Sequence, residues 1–265
     1  MQEISAAGAA PCAPIIETHG LWKSYGRFGA LRGLDLAVPE GSVFALLGEN
    51  GAGKTTTIKC LLNIIEPSRG TARVLGVDSR ALGPAQLAQI GYVSEGQVLP
   101  DRLTVGEFFR YVRGYYRSWD GAIEERLRSQ FRLPSGRRIG ALSHGMRLKL
   151  ALACALPFGP RLLVLDEPFS GLDPLVREEI IEGFVHRAAS LSILISSHEM
   201  DELERLATHA AFVHAGTLLL QGPLSALREQ ALPGGRGAHP QHAWLRDAFI
   251  AMAHAARGTQ PAWQP

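Results

Sequence analysis

Gly48-Glu49-Asn50-Gly51-Ala52-Gly53-Lys54-Thr55 is the stretch that most restricts what this chain can fold into. It satisfies G-x-x-x-x-G-K-[ST] at every required position. Residues 42–47 (SVFALL) before it read as a short buried strand, and apolar residues at helical spacing follow it over 56–64. Strand, glycine-rich loop and helix therefore come in order. Glycines let successive backbone N–H groups turn inward on phosphate oxygens, and the helix N-terminus adds partial positive charge. Lys54 reaches the outer phosphates, and the Thr55 hydroxyl stands where Mg²⁺ needs an oxygen ligand. Residues Gly48, Glu49, Asn50, Gly51, Ala52, Gly53, Lys54, Thr55 and Thr56 are thus the expected cradle of a nucleoside triphosphate.

The rest of the chain reads as α/β. Strands are expected over 15–23, 34–38, 42–47, 71–75, 90–93, 162–165 and 192–195, with turns at Gly26, Gly29, Gly33 and Pro39-Glu40-Gly41. The helix after the phosphate loop is expected to end near Glu66-Pro67, and further helices to cover 144–158 and 174–188. This alternation predicts a P-loop NTPase core with a mostly parallel sheet, joined to an antiparallel β subdomain. An inserted α-helical subdomain is expected over about 104–140. There Phe108, Tyr111, Tyr115 and Trp119 recur at helical spacing, and eight arginines from Arg110 to Arg138 face four acids from Glu107 to Glu125. Residues 1–14 read as a disordered lead-in and 15–230 as the nucleotide-binding domain. A linker, a short helix near 244–256 and a disordered tail complete 231–265.

Composition excludes several classes. A net charge of +2 argues against nucleic acid as a partner. Cys12, Cys60 and Cys154 are odd in number and far apart, as expected of reduced thiols in a cytoplasmic protein. Residues 206–227 carry no fixed charge, but their His, Gly, Gln and Pro residues fit two strands and a turn better than a membrane helix. If a membrane is involved, another chain supplies the spans.

A second constellation follows at 162–167 (LLVLDE), an apolar strand ending in two acids. At the carboxyl edge of a parallel sheet those acids emerge beside the phosphate loop. Asp166 can hold Mg²⁺, and Glu167 can orient or deprotonate an attacking water. Upstream, Leu142-Ser143-His144-Gly145-Met146 places Ser143 at a helix N-cap, leaving the free N–H groups of the next turn as a second anion site.

In this order the motifs resemble those of the nucleotide-binding subunits of ATP-binding cassette transporters, over about residues 15–230. GENGAGKT is similar to their Walker A loop, LSHGM to their signature motif and LLVLDEP to their Walker B strand. Ser170-Gly171-Leu172-Asp173 resembles their D-loop, and Ser197-His198 their switch histidine. The resemblance implies ATP and Mg²⁺ as ligands, with Tyr25 stacking on adenine and Glu167, His198 and Lys54 carrying hydrolysis. It further implies head-to-tail pairing with an identical or related cassette, so that Ser143 and Gly145 complete the partner's ATP site. Separate transmembrane permease chains would place the subunit on the cytoplasmic face of the membrane, exporter type being favoured. Two departures stand out. His144 and Met146 replace the usual glycine and glutamine of the signature, and Glu95 aligns with the glutamine that meets Mg²⁺. Either Glu95 takes that role or the loop shifts and Gln97 does. A soluble cassette ATPase, as in iron–sulfur assembly, and a non-hydrolysing regulatory subunit are the competing readings.

Overall fold

The parallel strands show why the hydrophobic runs had to be continuous. In a computed structural model that describes residues 13–185, 191–231 and 244–256, the chain begins with β1 (Pro14–Tyr25), β2 (Phe28–Leu34) and β3 (Ala37–Pro39). β4 (Val43–Leu47) runs into the phosphate loop and α1 (Lys54–Leu61). β5 (Arg69–Val74), β6 (Val77–Asp78), α2 (Pro84–Leu87) and β7 (Ile90–Ser94) lead to the helices α3 (Val105–Arg113), α4 (Gly121–Gln130) and α5 (His144–Cys154). Then come β8 (Leu162–Asp166), α6 (Pro174–Val185), β9 (Ser192–Ser197), α7 (Met200–Leu203), β10 (His209–His214) and β11 (Thr217–Pro223). The helices α8 (Leu224–Ala231) and α9 (Trp244–Ala256) close the described chain.

Two sheets result. One is antiparallel, in the order β2-β1-β5-β6 with β3 also on β1. The other runs β11-β10-β4-β9-β8-β7 and is parallel except for the β10–β11 hairpin. Every residue of β4, β8 and β9 is buried, because helices or the second sheet cover both faces. Side chains still alternate. Val43, Ala45, Leu47, Leu163, Leu165, Ile193 and Ile195 join the core beneath α3 to α6 and α9. Phe44, Leu46, Leu162, Val164 and Leu194 join the core shared with α1 and the antiparallel sheet. With a side-chain period of two, a one-residue slip of any of these strands would exchange the two cores.

Several boundaries differ from the sequence expectation for local reasons. Gly29 and Gly33 lie inside β2 rather than in turns. The β1–β2 register passes from Leu21↔Leu34 to Trp22↔Arg32, so Gly33 is the extra residue of a β-bulge and the strand continues through it. α1 stops at Leu61, short of Pro67, because Asn63 adopts a left-handed conformation (φ 55°) and Ile64 N–H bonds back to Lys59 O. The aromatic face of 104–140 is divided. α3 ends at Arg113, so Phe108 is buried while Tyr111 and Tyr115 stand exposed, with Tyr115 O–H donating to Tyr111 Oη at 2.9 Å. Trp119 packs on the core and donates to Glu124 Oε2 at 2.7 Å. Cys60 and Cys154 are buried free thiols, and burial pushes the Cys60 thiol up to about 11. The uncharged stretch 206–227 forms β10, β11 and their turn. No helix among the described residues is long and apolar enough to cross a membrane. Of the expected lead-in over 1–14, Pro14 already opens β1, paired with Pro39 on β3, while residues 1–12, the end of the 174–188 helix, the linker and the tail lie outside the described residues.

One contact between strands is tight enough to test. Gly70 has φ +79°, and a Cβ there would lie 2.0 Å from Gly20 O. Gly70→Ala is expected to cost about 3 kcal/mol or more, lowering Tm by roughly 6–12 °C. Gly76, at φ +77° in open space, supplies the comparison, because Gly76→Ala meets only the backbone preference. Equal shifts in a thermal melt of the two variants would show that the Gly20 contact is not the cause.

Candidate functional site

The carboxyl ends of β4, β8 and β9 lie side by side, Leu47 opposite Ser197 and Asp166 opposite Ser196. That register gathers groups that are far apart in sequence. β4 delivers the phosphate loop, whose Gly53 (φ +110°) packs where a Cβ would come within 2.8 Å of Ala30 O and Leu31 Cδ2. A side chain there would spread the turn that feeds backbone N–H groups into α1. Lys54, only 4% exposed, curls onto its own loop and donates to Gly48 O at 2.7 Å and Glu49 O at 3.1 Å.

β8 delivers the acids. Asp166 Oδ1 accepts from Thr55 Oγ1 at 3.0 Å and from Ser196 Oγ at 2.6 Å. Burial pushes the Asp166 carboxyl above its ordinary range, opposed by the Ser196 and Thr55 hydroxyls and reinforced by the Glu167 charge. Glu167 is 8% exposed and sits in a left-handed conformation (φ 51°) that non-glycine residues seldom adopt. Its N–H bonds to Ser196 Oγ at 3.0 Å and Ser196 O at 3.2 Å.

The Glu167 carboxylate lies between Lys54 and His198. Oε1 is 2.9 Å from Lys54 Nζ, and Oε2 is 2.8 Å from His198 Nδ1. Since an ionised carboxylate only accepts, the proton of that second contact belongs to Nδ1. Oε1 receives charge from Lys54 but no well-directed hydrogen bond, leaving a buried acceptor whose bonding capacity is open. This residual capacity, and a donor set of hydroxyl and carboxylate oxygens at Thr55 and Asp166, fit a hard divalent cation and a polar substrate.

A cavity beside the loop brings together Gly51, Gly53, Lys54, Thr55, Thr56, Glu95 and Glu167, with Tyr25 and Phe28 at its rim. Of the two loop candidates, Glu95 is the one on this cavity, tied back by its N–H to Asp166 O at 2.8 Å. Gln97 lines the adjoining cavity with His144 and Arg147, and Glu95 and Glu167 border that one as well. Tyr25 pairs with Phe28 across the hairpin turn, and Lys23 Nζ lies 5.3 Å from the centre of the Tyr25 ring. Sequence reasoning missed Phe28 and Ser196. The two-residue gap after Tyr25 was a usable hairpin signal for Phe28, whereas Ser196 depends on the parallel pairing of β8 with β9.

Ser143 caps α5, accepting from Met146 N at 3.3 Å, and Gly145 is buried with its Cα face against Val176. Neither lines the cavity of the chain's own phosphate loop. Behind them, buried Lys149 forms an ion pair with Glu179 that links α5 to α6. α9 closes the other flank, where Arg246, Phe249 and Ile250 line a cavity with Glu49, Asn50 and His198. Trp244, Leu245 and Phe249 are buried, and the Phe249 ring stacks on Phe212 at 5.9 Å.

Known proteins share this arrangement. The family model described as ABC transporter matches residues 31–170. The probable multidrug ABC transporter ATP-binding protein YbhF of Escherichia coli (strain K12) is 33% identical over 252 residues, 92% of this chain and 42% of that protein. This chain therefore spans under half of that relative. The Nod factor export ATP-binding protein I of Cupriavidus metallidurans is 36% identical over 214 residues, 78% of this chain and 71% of that protein. A solved ATP binding subunit of an ABC transporter superposes with a TM-score of 0.78 at 31% identity, covering 90% of this chain and 99% of the other. With a nucleotide cradle, paired acids and a histidine on one sheet edge, and a family match over more than half its length, the chain belongs to the ABC transporter family of ATP-binding proteins, whose cassettes hydrolyse ATP to power transport.

Proposed function

We propose that this chain is the ATP-hydrolysing subunit of a membrane exporter whose permease is a separate transmembrane chain. The observation that carries the reading is the placement of the Glu167 carboxylate within 2.9 Å of Lys54 Nζ and 2.8 Å of His198 Nδ1, beside the Thr55–Asp166 pair. The relatives named for multidrug transport and Nod factor export support the direction.

Hydrolysis of a phosphoanhydride needs positioning and charge neutralisation more than covalent chemistry. The loop N–H groups of Gly51 and of Gly53 to Thr56, with the Lys54 ammonium, bind the phosphates, while Gly48 and Ala52 N–H hold the loop's own shape through Ser197 O and Glu49 O, and Tyr25 stacks on the base. Thr55 and Asp166 would hold Mg²⁺, with Glu95 facing the same cavity. The ion, when bound, supplies charge neutralisation at the phosphate oxygens. Glu167 accepts the proton of the attacking water, and His198 keeps that carboxylate oriented from its other oxygen. Ser143 and Gly145, away from the chain's own cradle, serve the nucleotide of a second cassette, identical or related. ATP bridging the two would favour the closed pair, and hydrolysis would remove that preference. The exposed tyrosines and arginines of 104–140 provide the surface that the permease meets at the cytoplasmic face of the membrane.

The deciding experiment is affinity purification of the full chain from solubilised membranes and from the soluble fraction, followed by ATPase assay. A multi-span protein recovered in the membrane complex with ATPase activity is the expected result. Active chain found only in the soluble fraction would support a soluble cassette ATPase instead. A membrane complex that binds ATP without turnover would support a regulatory subunit.

A further inference from the structure

Ser196 is fully buried near the end of β9, and its one hydroxyl touches both the Asp166 carboxylate that ends β8 and the backbone of Glu167 just beyond it. Its Oγ donates to Asp166 Oδ1 at 2.6 Å and accepts the Glu167 N–H at 3.0 Å. The two bonds are mutually consistent. The hydroxyl proton goes to a carboxylate that can only accept, and a lone pair remains for the amide. We propose that Ser196 is a positioning residue for hydrolysis: its hydroxyl fixes the metal-facing carboxylate of Asp166 and the backbone of Glu167 as one unit. This rests on the roles proposed above for Asp166 and Glu167.

Three observations carry it. Glu167 holds a left-handed backbone, φ 51°, which a non-glycine residue keeps only when neighbours impose it. Ser196 supplies the imposing contacts through both its hydroxyl and its carbonyl oxygen. Thr55 also donates to Asp166 Oδ1, so the same carboxylate oxygen is pinned from the phosphate loop on one side and from β9 on the other. A hydroxyl spent on Asp166 fixes the carboxylate's rotation, so its remaining oxygen faces one direction. Outer partners of this kind commonly govern how well an inner ligand performs. Neither bond touches a phosphate, so nucleotide binding itself does not depend on Ser196.

Ser196→Ala removes one buried oxygen and adds no bulk, so the fold is retained. The control is Ser192→Ala, at the opposite end of the same strand, where the Ser192 hydroxyl accepts the Gly41 N–H and touches neither acid. Steady-state ATPase of the full chain should show kcat lowered by about 10- to 100-fold in Ser196→Ala, with KM for ATP within about threefold of wild type. Ser192→Ala should remain within about twofold on both. With ADP present, Mn²⁺ binding followed by electron paramagnetic resonance should weaken by about tenfold in Ser196→Ala alone. Wild-type kcat or unchanged Mn²⁺ affinity in Ser196→Ala would overturn the inference, as would equal losses in both serine variants. The function reading is checked separately by wild type and Glu167→Gln. If wild type hydrolyses ATP and Glu167→Gln does not, a normal Ser196→Ala overturns this inference alone. If wild type is inert, both fall.

Discussion

Glu167→Gln is expected to slow ATP hydrolysis by roughly 100- to 10,000-fold, the span associated with loss of a positioned general base, while ATP binding becomes tighter. The two effects have separate causes. An amide in place of the carboxylate cannot take a proton from water at neutral pH. Tighter binding follows from the resting structure, where Lys54 Nζ is held 2.9 Å from Glu167 Oε1 in a pair that is 4% and 9% exposed. Nucleotide must draw Lys54 away from that charge. Neutral glutamine relaxes the competition, and an affinity gain of up to about tenfold corresponds to about 1.4 kcal/mol. The left-handed backbone at 167 treats glutamine as it treats glutamate, but the buried Lys54 ammonium loses its counter-charge, so some stability should be lost as well. Single-turnover hydrolysis, titration calorimetry with ATP and size-exclusion chromatography check the three parts, the last expecting an ATP-dependent dimer. Turnover at the wild-type rate would remove Glu167 from the mechanism.

Lys54→Ala should be the more damaging change, since the ammonium proposed to bind the phosphates is also the partner of the Glu167 carboxylate. Loss of a charge-assisted contact to phosphate is worth up to about 3 kcal/mol, so ATP affinity should fall roughly 100-fold, and turnover should become undetectable. The free protein should suffer too. Without Lys54, the buried Glu167 carboxylate keeps only His198, and breaking a buried pair from one side costs about 3 kcal/mol. For a chain of this size that is a fall in Tm of roughly 6–12 °C. Adding Glu167→Gln to Lys54→Ala should recover part of that fall, because no charge is then left behind. A double-mutant cycle in thermal melts measures the recovery. Strict additivity of the two changes would mean that the Lys54–Glu167 contact contributes nothing to the resting state, and unchanged ATPase activity in Lys54→Ala would place the site elsewhere.

Much of the parallel core was legible because its signals are local. Strands buried on both faces must be apolar throughout, and residues 162–165 and 192–195 could hardly be anything else. Glycine at 48 and 53 with lysine at 54 and threonine at 55 matches a phosphate-binding loop by spacing alone. Boundaries set by single backbone conformations were harder to see. Asn63 ended α1 early, and Gly33 extended β2 by bulging instead of turning it. The aromatic spacing from Phe108 to Trp119 promised one helix face, but α3 stops at Arg113 and the rings divide between core and surface. Periodicity shows which residues would share a face of a helix. It does not show that the helix lasts.

The sequence by itself determined the nucleotide cradle, the acids of β8 and the class of fold, since each depends on residue type and spacing within one segment. Tertiary structure decided which of those groups meet. Asp166 faces Ser196, and Glu167 reaches both Lys54 and His198, only because β8 pairs with β9 and β9 with β4 in one parallel register. Glu95 rather than Gln97 lies on the phosphate cavity because its N–H is anchored to Asp166 O at the next strand's end. Such pairings join residues from 30 to more than a hundred positions apart, and hydrogen bonds across a sheet leave no periodic trace in either strand. A motif can name the atoms of a site, but distances between motifs are set by the sheet that carries them.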